Sequence, residues 1–290
     1  MSFEVNTAFV QQYTTNLELL LQQRGSKLRP YVSQSSYTGK AAKAVEQIGQ
    51  VAAQKRLSRH SDTPLISTPH DARWVFPVDY EVADLIDDQD KLRMLINPQS
   101  SYAINQAMAL GRAMDDEIIM QALGTSKTGE NGTTSTAFDT SNQQVPAVAT
   151  GLTIDKLRQA KEILLSNEVD TSVEGMYMAV TAKQLTDLLE STDVTSADFN
   201  SVKTLVQGDV DTFMGFKFIH CERLGVDGSS ARRVIAWAQS GLHLGVWKDV
   251  STQVSERADK SYATQVYACS TFGATRTEEG KVVEILCTES

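Results

Sequence analysis

PQSSYAINQAMALGRAMDDEIIMQAL, Pro98 to Leu123, is the longest uninterrupted helical pattern in the chain, and the neighbouring elements fall into place around it. Asn97 is a good N-cap, Pro98 suits the first helical position, and Gly124 can turn left-handed after the last turn. Apolar or small residues recur at Ile104, Ala107, Met108, Gly111, Met114, Ile118, Ile119 and Ala122, the spacing of one buried face. At its normal rise such a helix is about 39 Å long and crosses a whole small domain. Near its end Asp115, Asp116 and Glu117 form an acidic knot. Adjacent helical positions point about 100° apart, so the three cannot share one ion, and the spacing predicts a solvated or intersubunit face.

On the N-terminal side, Val10, Tyr13, Leu17, Leu20 and Leu21 make one stripe of a helix over Thr7 to Gln23, ended by Gly25. Leu28 to Ser36 then reads as an extended arm, and Ala41 to Arg56 as a weak strand or a poorly formed helix. With so few large apolar residues this region cannot build a core of its own, and it reads as a projecting loop, a hairpin or a flexible linker. From Asp71 the pattern changes to a period of two. Trp74, Phe76, Val78, Tyr80 and Val82 alternate with their neighbours, predicting one strand that Pro77 places at a sheet edge. Asp90 to Ile96 predicts a short helix before the long one.

Beyond Gly124 a polar run reads as a loop with room for a small hairpin. Thr153 caps a helix carrying Ile154, Leu157, Ala160 and Leu164, and GMYMAV, Gly175 to Val180, is a short buried strand. Thr181 and Gln184 match a capping box ahead of Leu185, Leu188 and Leu189, and another helix is expected between Ser196 and Gln207. Strands are expected at Phe213–Cys221, Arg232–Ala238, Val250–Glu256, Tyr262–Thr275 and Lys281–Cys287. Helices and strands segregated in runs define an α+β fold.

A chain of 290 residues can bury a full core as one large domain or two subdomains. No apolar run approaches the roughly 20 residues of a membrane span, and the first residues have no secretory pattern. Cys221, Cys269 and Cys287 are an odd, widely spaced set within strand-like sequence and read as small buried hydrophobes. Gly124 to Gly129 has the frame of a phosphate loop, but Glu130 and Asn131 stand where Lys and Ser/Thr are needed. His60, His70, His220 and His243 lack metal-ligand spacing, and no hydrolase or protease motif occurs. No catalytic, cofactor or metal site emerges, and the chain does not read as an enzyme.

The charge is informative because it is uneven. The net charge is −9, yet Arg24, Lys27, Arg29, Lys40, Lys43, Lys55, Arg56 and Arg59 face a single acid, Glu46, across the same stretch. Asp79, Glu81, Asp84, Asp87, Asp88 and Asp90 follow with no base among them. The two stretches are made to attract each other, within one subunit or between subunits. Only Tyr31 and Tyr37 accompany the basic stretch, too few for a nucleic-acid stacking platform.

An N-terminal helix, a basic projecting stretch, an aromatic strand, a long spine helix, a middle of short elements and a strand-rich end follow one another in order. That order resembles the major capsid proteins of tailed bacteriophages, of the Hong Kong 97 type, over nearly the whole chain. GDVDTFMGFKFIHCERL, Gly208 to Leu224, looks like a frequent pattern of that family, with Gly215 and Phe216 in its Gly-Phe positions and Leu224 closing it. RRVIAWAQSGLHLGVWKDV and YACSTFGATRTEEGKVVEILC look like its closing strands.

The resemblance implies an N-terminal arm over residues 1–25 and an extended loop over 26–71. It implies a peripheral domain over 72–167 holding the spine at 98–123, an axial domain over 168–249, and peripheral and C-terminal strands over 250–290. It also implies self-assembly into hexamers and pentamers of an icosahedral shell around double-stranded DNA, held without sequence specificity. The implied partners are a separate scaffolding protein, a portal protein at one vertex and a decoration protein, with no membrane and no cofactor. The shell would be assembled in the cytoplasm of a bacterial host. On that reading the eight bases and six acids above are intersubunit contacts. An encapsulin-like compartment shares the fold and would hold enzyme cargo. A cytosolic α+β enzyme is the rival from another class, and it predicts a small oligomer with a deep pocket of titratable groups.

Overall fold

The computed structural model describes residues 22–56, 58–59, 63, 65–86, 99–190 and 212–289. In chain order these form β1 (Ser33–Ser36), β2 (Ala42–Ile48), β3 (His70–Val75), β4 (Val78–Ile86), α1 (Gln99–Leu123), β5 (Ser126–Thr128), β6 (Thr134–Thr136) and β7 (Gln144–Val145). There follow α2 (Ile154–Ser166), β8 (Met176–Val180), α3 (Ala182–Glu190), β9 (Thr212–Phe213), β10 (Phe216–His220), β11 (Ala231–Ala238), β12 (Leu242–Arg257), β13 (Ala263–Arg276) and β14 (Val282–Thr288). The expected helices at Thr7–Gln23, Asp90–Ile96 and Ser196–Gln207 lie wholly or almost wholly outside the described residues, as do the cap residues Asn97 and Pro98.

The strands form three sheets, ordered β1-β12-β13-β4, β7-β14-β11-β8-β10-β9 and β2-β3-β5-β6. α1 lies across the first, packing on β12, β13 and β4 through Leu110, Met114, Ile118 and Ala122. Ile104, expected on that buried face, is instead half-exposed among the described residues. The other end is closed by an element that sequence reading missed. Arg276 on β13 is fully buried and donates from Nη1 to the carbonyls of Ala122 and Gly124, 2.9 Å each, while its guanidinium lies 5.3 Å from the Phe138 ring centre. A cation there satisfies the helix's last carbonyls and its negative end together.

The six-stranded sheet holds the larger part of the core: Met178, Val180, Phe216, Val234, Trp237, Val283 and Ile285 are all buried, with α2 covering β14 and β7. Thr153 caps α2 as expected, its hydroxyl accepting from the Lys156 backbone at 3.4 Å. The Lys156 side chain turns inward, where four carbonyl oxygens, of Ala147, Thr150, Gly151 and Leu286, lie 2.8–2.9 Å from Nζ and fix the preceding loop to the last strand. Burial pushes this amine's pKa down. At α3, Gln184 reaches back to accept from the Thr181 backbone N–H at 2.8 Å, the half of a capping box that its spacing predicts.

Three strand readings need correction. The alternation from Arg73 to Val82 is two strands, because Pro77 has no N–H to continue a ladder. The chain switches there from the β2-β3 sheet to the edge of the α1 sheet, leaving Phe76 half-exposed. Phe213 to Cys221 is also divided. Met214 and Gly215 both take positive φ, 53° and 91°, the signature of a tight type I′ hairpin turn between β9 and β10. β12 begins at Leu242, eight residues before the expected Val250, and its register slips twice around Lys248, which hides its period.

His243, in the early part of β12, is buried between β1 and the core. Ser33 Oγ donates to the Leu242 carbonyl at 2.8 Å, so the 2.9 Å contact to His243 Nδ1 is a ring donor to the hydroxyl, and Tyr37 OH then donates to Nε2 at 2.9 Å. The ring is held neutral, and burial pushes its pKa below the ordinary 6.5. A histidine of depressed folded pKa contributes fully above its unfolded pKa, and that contribution is lost as pH falls from about 6.5 towards the folded value. The melting temperature should therefore fall as the buffer is acidified below about pH 6.5, and His243→Gln should flatten that part of the profile.

Candidate assembly surface

Two surfaces stand out: a clasp that ties the start of the described chain to α1, and a hairpin that leaves the body. In the clasp Asp115 is 0% exposed. It accepts from the backbone N–H groups of Lys27 (2.9 Å) and Leu28 (3.1 Å), and from Gln23 Nε2 and Ser26 Oγ. One turn earlier Gly111 lets the chain cross against the helix: a Cβ there would stand 2.6 Å from the backbone of Gly25. The i, i+4 spacing puts the small residue and the carboxylate on one stripe, a groove followed by a hook. The expectation that Asp115 and Glu117 lie on a solvated or intersubunit face was wrong, since both are buried within their own chain. Glu117 is also buried, accepting from Tyr80 OH at 3.0 Å and Gln121 Nε2 at 3.1 Å, while burial, and then the Glu117 charge, push Tyr80 up to about 12. Of the three, only Asp116 points outward, and it pairs with Arg223.

The clasp corrects the reading of the basic stretch. Leu28 and Val32 are buried, 1% and 3% exposed, β1 pairs with β12 in parallel, and the Tyr31 carbonyl accepts from Trp237 Nε1 at 3.0 Å. The first dozen residues after Gly25 are thus fixed to their own subunit, with Leu28 and Val32 in its core. Gly111→Val should force this segment out, costing about 1–3 kcal/mol by overpacking. Its signature would be a lowered melting temperature and faster trypsin cleavage after Arg24 and Lys27.

The hairpin is different. β2 and β3 pair antiparallel, and between them residues 49–69, so far as they are described, form no regular element. Leu65 is 99% exposed and Ile48 69%, with Val51 and Ile66 also uncovered. Lys40, Lys55, Arg56 and Arg59 are exposed, Arg56 bonding only locally to the Ser58 carbonyl at 3.0 Å. Nearer the body Lys43 pairs with Glu46 at 3.2 Å and lies 5.6 Å from the Trp74 ring centre, Lys27 donates to the His220 carbonyl at 2.8 Å, and Arg29 grips Asp249 through two 3.1 Å bonds. Arg24 is exposed.

Asp79, Glu81 and Asp84 sit on β4, the edge strand of the α1 sheet among the described residues. Asp79 accepts from Thr271 at 2.6 Å, Glu81 from Tyr267 at 3.1 Å, and Asp84 from the Leu85 backbone at 2.9 Å. Asp87, Asp88 and Asp90 lie outside the described residues. Among the described residues, none of the eight bases pairs with Asp79, Glu81 or Asp84, so the structure does not bring the two charged stretches together within one chain. No group of His, Cys, Asp and Glu among the described residues could hold a metal ion, and no described helix is long and apolar enough to cross a membrane.

A family model described as phage capsid protein matches residues 5–289. The chain belongs to the phage capsid protein family. It is a structural protein, the major capsid protein of an icosahedral virion shell. The fold agrees. The capsid of cyanophage P-SCSP1u superposes with a TM-score of 0.75 at 13% identity, over 99% of this chain and 95% of that one. A Mycobacterium phage Che8 chain gives 0.70 at 16% identity, covering 96% of this chain and 97% of that one. The capsid of a native GTA particle gives 0.68 at 12%, covering 99% and 98%. No curated protein matches the chain in sequence. For this capsid protein the clasp residue Asp115 was the functional feature missed from sequence, although Gly111 one turn earlier was a usable signal.

Proposed function

We propose that this capsid protein works by assembly and not by catalysis, arranging itself as hexamers and pentamers in a shell around double-stranded DNA. The observation that carries this is the β2-β3 hairpin, whose apolar side chains Ile48, Val51, Leu65 and Ile66 and basic side chains Lys55, Arg56 and Arg59 are uncovered among the described residues. A second copy presents the β4 edge, where Asp79, Glu81 and Asp84, among the described residues, bind only neutral groups of their own sheet. Laid over that edge, the hairpin gains many modest, screened attractions plus apolar burial, which are reversible singly and strong when repeated through a closed shell.

On this reading the hairpin is the extended loop of residues 26–71 with its first dozen residues anchored. α1 and its four-stranded sheet form the peripheral domain, the six-stranded sheet forms the axial domain, and the intersubunit set is drawn from the fourteen charged residues. Arg24, Lys40, Lys55, Arg56 and Arg59 face the acids of the next copy, whereas Lys27, Arg29 and Lys43 are held by partners in their own subunit. Assembly takes place in the host cytoplasm with a scaffolding protein and a portal protein at one vertex, with a decoration protein on the outside, and the DNA is held without sequence preference. Electron microscopy of the protein produced with its scaffold tests this: hollow icosahedral particles are expected, and discrete dimers or tetramers under every condition would overturn it.

A further inference from the structure

Cys269 departs from the expectation that all three cysteines are buried. Cys221 and Cys287 are enclosed, but Cys269 is partly exposed on β13, on the face opposite the buried Ala268, Ser270 and Phe272. Across the ladder β12 is irregular, its register slipping between Val246 and Lys248 and again between Lys248 and Ser251. The slips set Lys248 opposite Thr271, and its side chain runs along the outer face to place Nζ 2.9 Å from Cys269 Sγ. On the other side of the sulfur, Tyr267 donates to Glu81 of β4 at 3.1 Å. An amine, a thiol, a phenol and a carboxylate therefore stand in a row over three strands. The ammonium pulls the Cys269 thiol below its usual range, whereas burial raises Cys221 and drives Cys287 to about 12. Thiolate character and access together select which cysteine an oxidant reaches.

We propose that Cys269 and Lys248 form a redox modification site, in which a peroxide oxidises the sulfur and the lysine amine closes a cross-strand sulfur–nitrogen bond. In the first step the thiolate form of Sγ attacks the O–O bond of hydrogen peroxide, the sulfur loses two electrons, and the hydroxide that leaves takes a proton from the Lys248 ammonium, so that one sulfenic acid, one water and a neutral amine are formed. In the second step Nζ attacks the sulfur, the S–O bond breaks, and the hydroxyl leaves as water with a proton from nitrogen. The product is a sulfenamide, and a thiol reverses it. The flexible lysine stem spans the remaining distance without moving the strands. The bond would staple β12 to β13 at the irregular point of their ladder. It does not depend on how copies of the chain assemble.

The test is hydrogen peroxide treatment of the full-length protein followed by mass spectrometry. The intact mass should fall by about 2 Da, as expected for loss of two hydrogens. Trypsin should no longer cut after Lys248, whose segment should appear joined to the one holding Cys269, and dithiothreitol should restore the starting mass. Cys269→Ser should abolish the change, while Lys248→Met should leave a sulfenic acid that dimedone traps. Both side chains lie on the outer face, and melting curves check that each variant is folded. The proposal is overturned if wild-type Cys269 takes up dimedone or proceeds to sulfinic acid with no link to Lys248, or if Cys269 is not oxidised.

Discussion

Asp115→Ala should remove a large part of the stability of the subunit. Four donors converge on this carboxylate, and two of them are backbone N–H groups, one on a buried leucine that water cannot reach. An unsatisfied buried donor costs about 1–3 kcal/mol, and hydrogen bonds to a charged acceptor are the stronger kind, so the loss should be on the order of 4–6 kcal/mol. A domain holds only about 5–15 kcal/mol in total. Asp115→Asn separates charge from shape. One oxygen still accepts, but the amide nitrogen meets a donor head-on, and about half of the loss should remain. Urea unfolding of the three proteins measures this, with trypsin cleavage after Arg24 and Lys27 reporting whether the segment has come free. A variant with alanine at this position that unfolds at the wild-type urea concentration would show that the clasp contributes nothing.

The clasp also shows where sequence reasoning stops. Three consecutive acids on a helix look solvated because polarity is the only local cue. What buries Asp115 is a set of donors 87 to 92 residues earlier in the chain, a distance over which no periodicity carries information. Gly111 was visible but was counted as one more small residue of the buried stripe, and only its spacing to Asp115 hints that another chain crosses there. Arg276 and Lys156 were missed for the same reason: each is buried because it collects carbonyl oxygens from loops and helix ends that no pattern brings together.

α1 was legible because its stripe is long, and α2 because cap and stripe agree. The break at Pro77 was visible too, but an unbroken alternation of apolar residues concealed that the chain changes sheets. β12 was half-read because two register slips within a few residues destroy the period of two. The hairpin was the most legible part of the candidate assembly surface, since a segment without large buried side chains needs only composition to be recognised. Its root was misjudged because Leu28 and Val32 are just two residues, and the partners that bury them are distant in sequence.

Lys40→Glu, Lys55→Glu and Arg56→Glu together should abolish assembly while leaving the subunit folded. Lys43 is left intact because its stem lies over Trp74 and its ammonium pairs with Glu46, so reversing it would disturb the hairpin itself. The three chosen side chains are exposed and make no ion pair among the described residues, which predicts a melting temperature close to wild type. One exposed pair is worth about 0.2–1 kcal/mol, and reversal replaces attraction by repulsion, so three should shift each contact by about 2–3 kcal/mol. That is modest for a dimer but decisive for a shell, because every copy makes the contact and closure multiplies the loss. Sedimentation and electron microscopy of the variant should show free subunits or small oligomers. Raised salt should weaken wild-type assembly in the same direction, since the contacts are screened within about 10 Å at 0.1 M. Asp79→Lys, Glu81→Lys and Asp84→Lys in a co-produced second copy should restore mixed particles. Intact shells from the triple variant would mean that the hairpin's apolar side chains, and not its charge, hold neighbouring copies together.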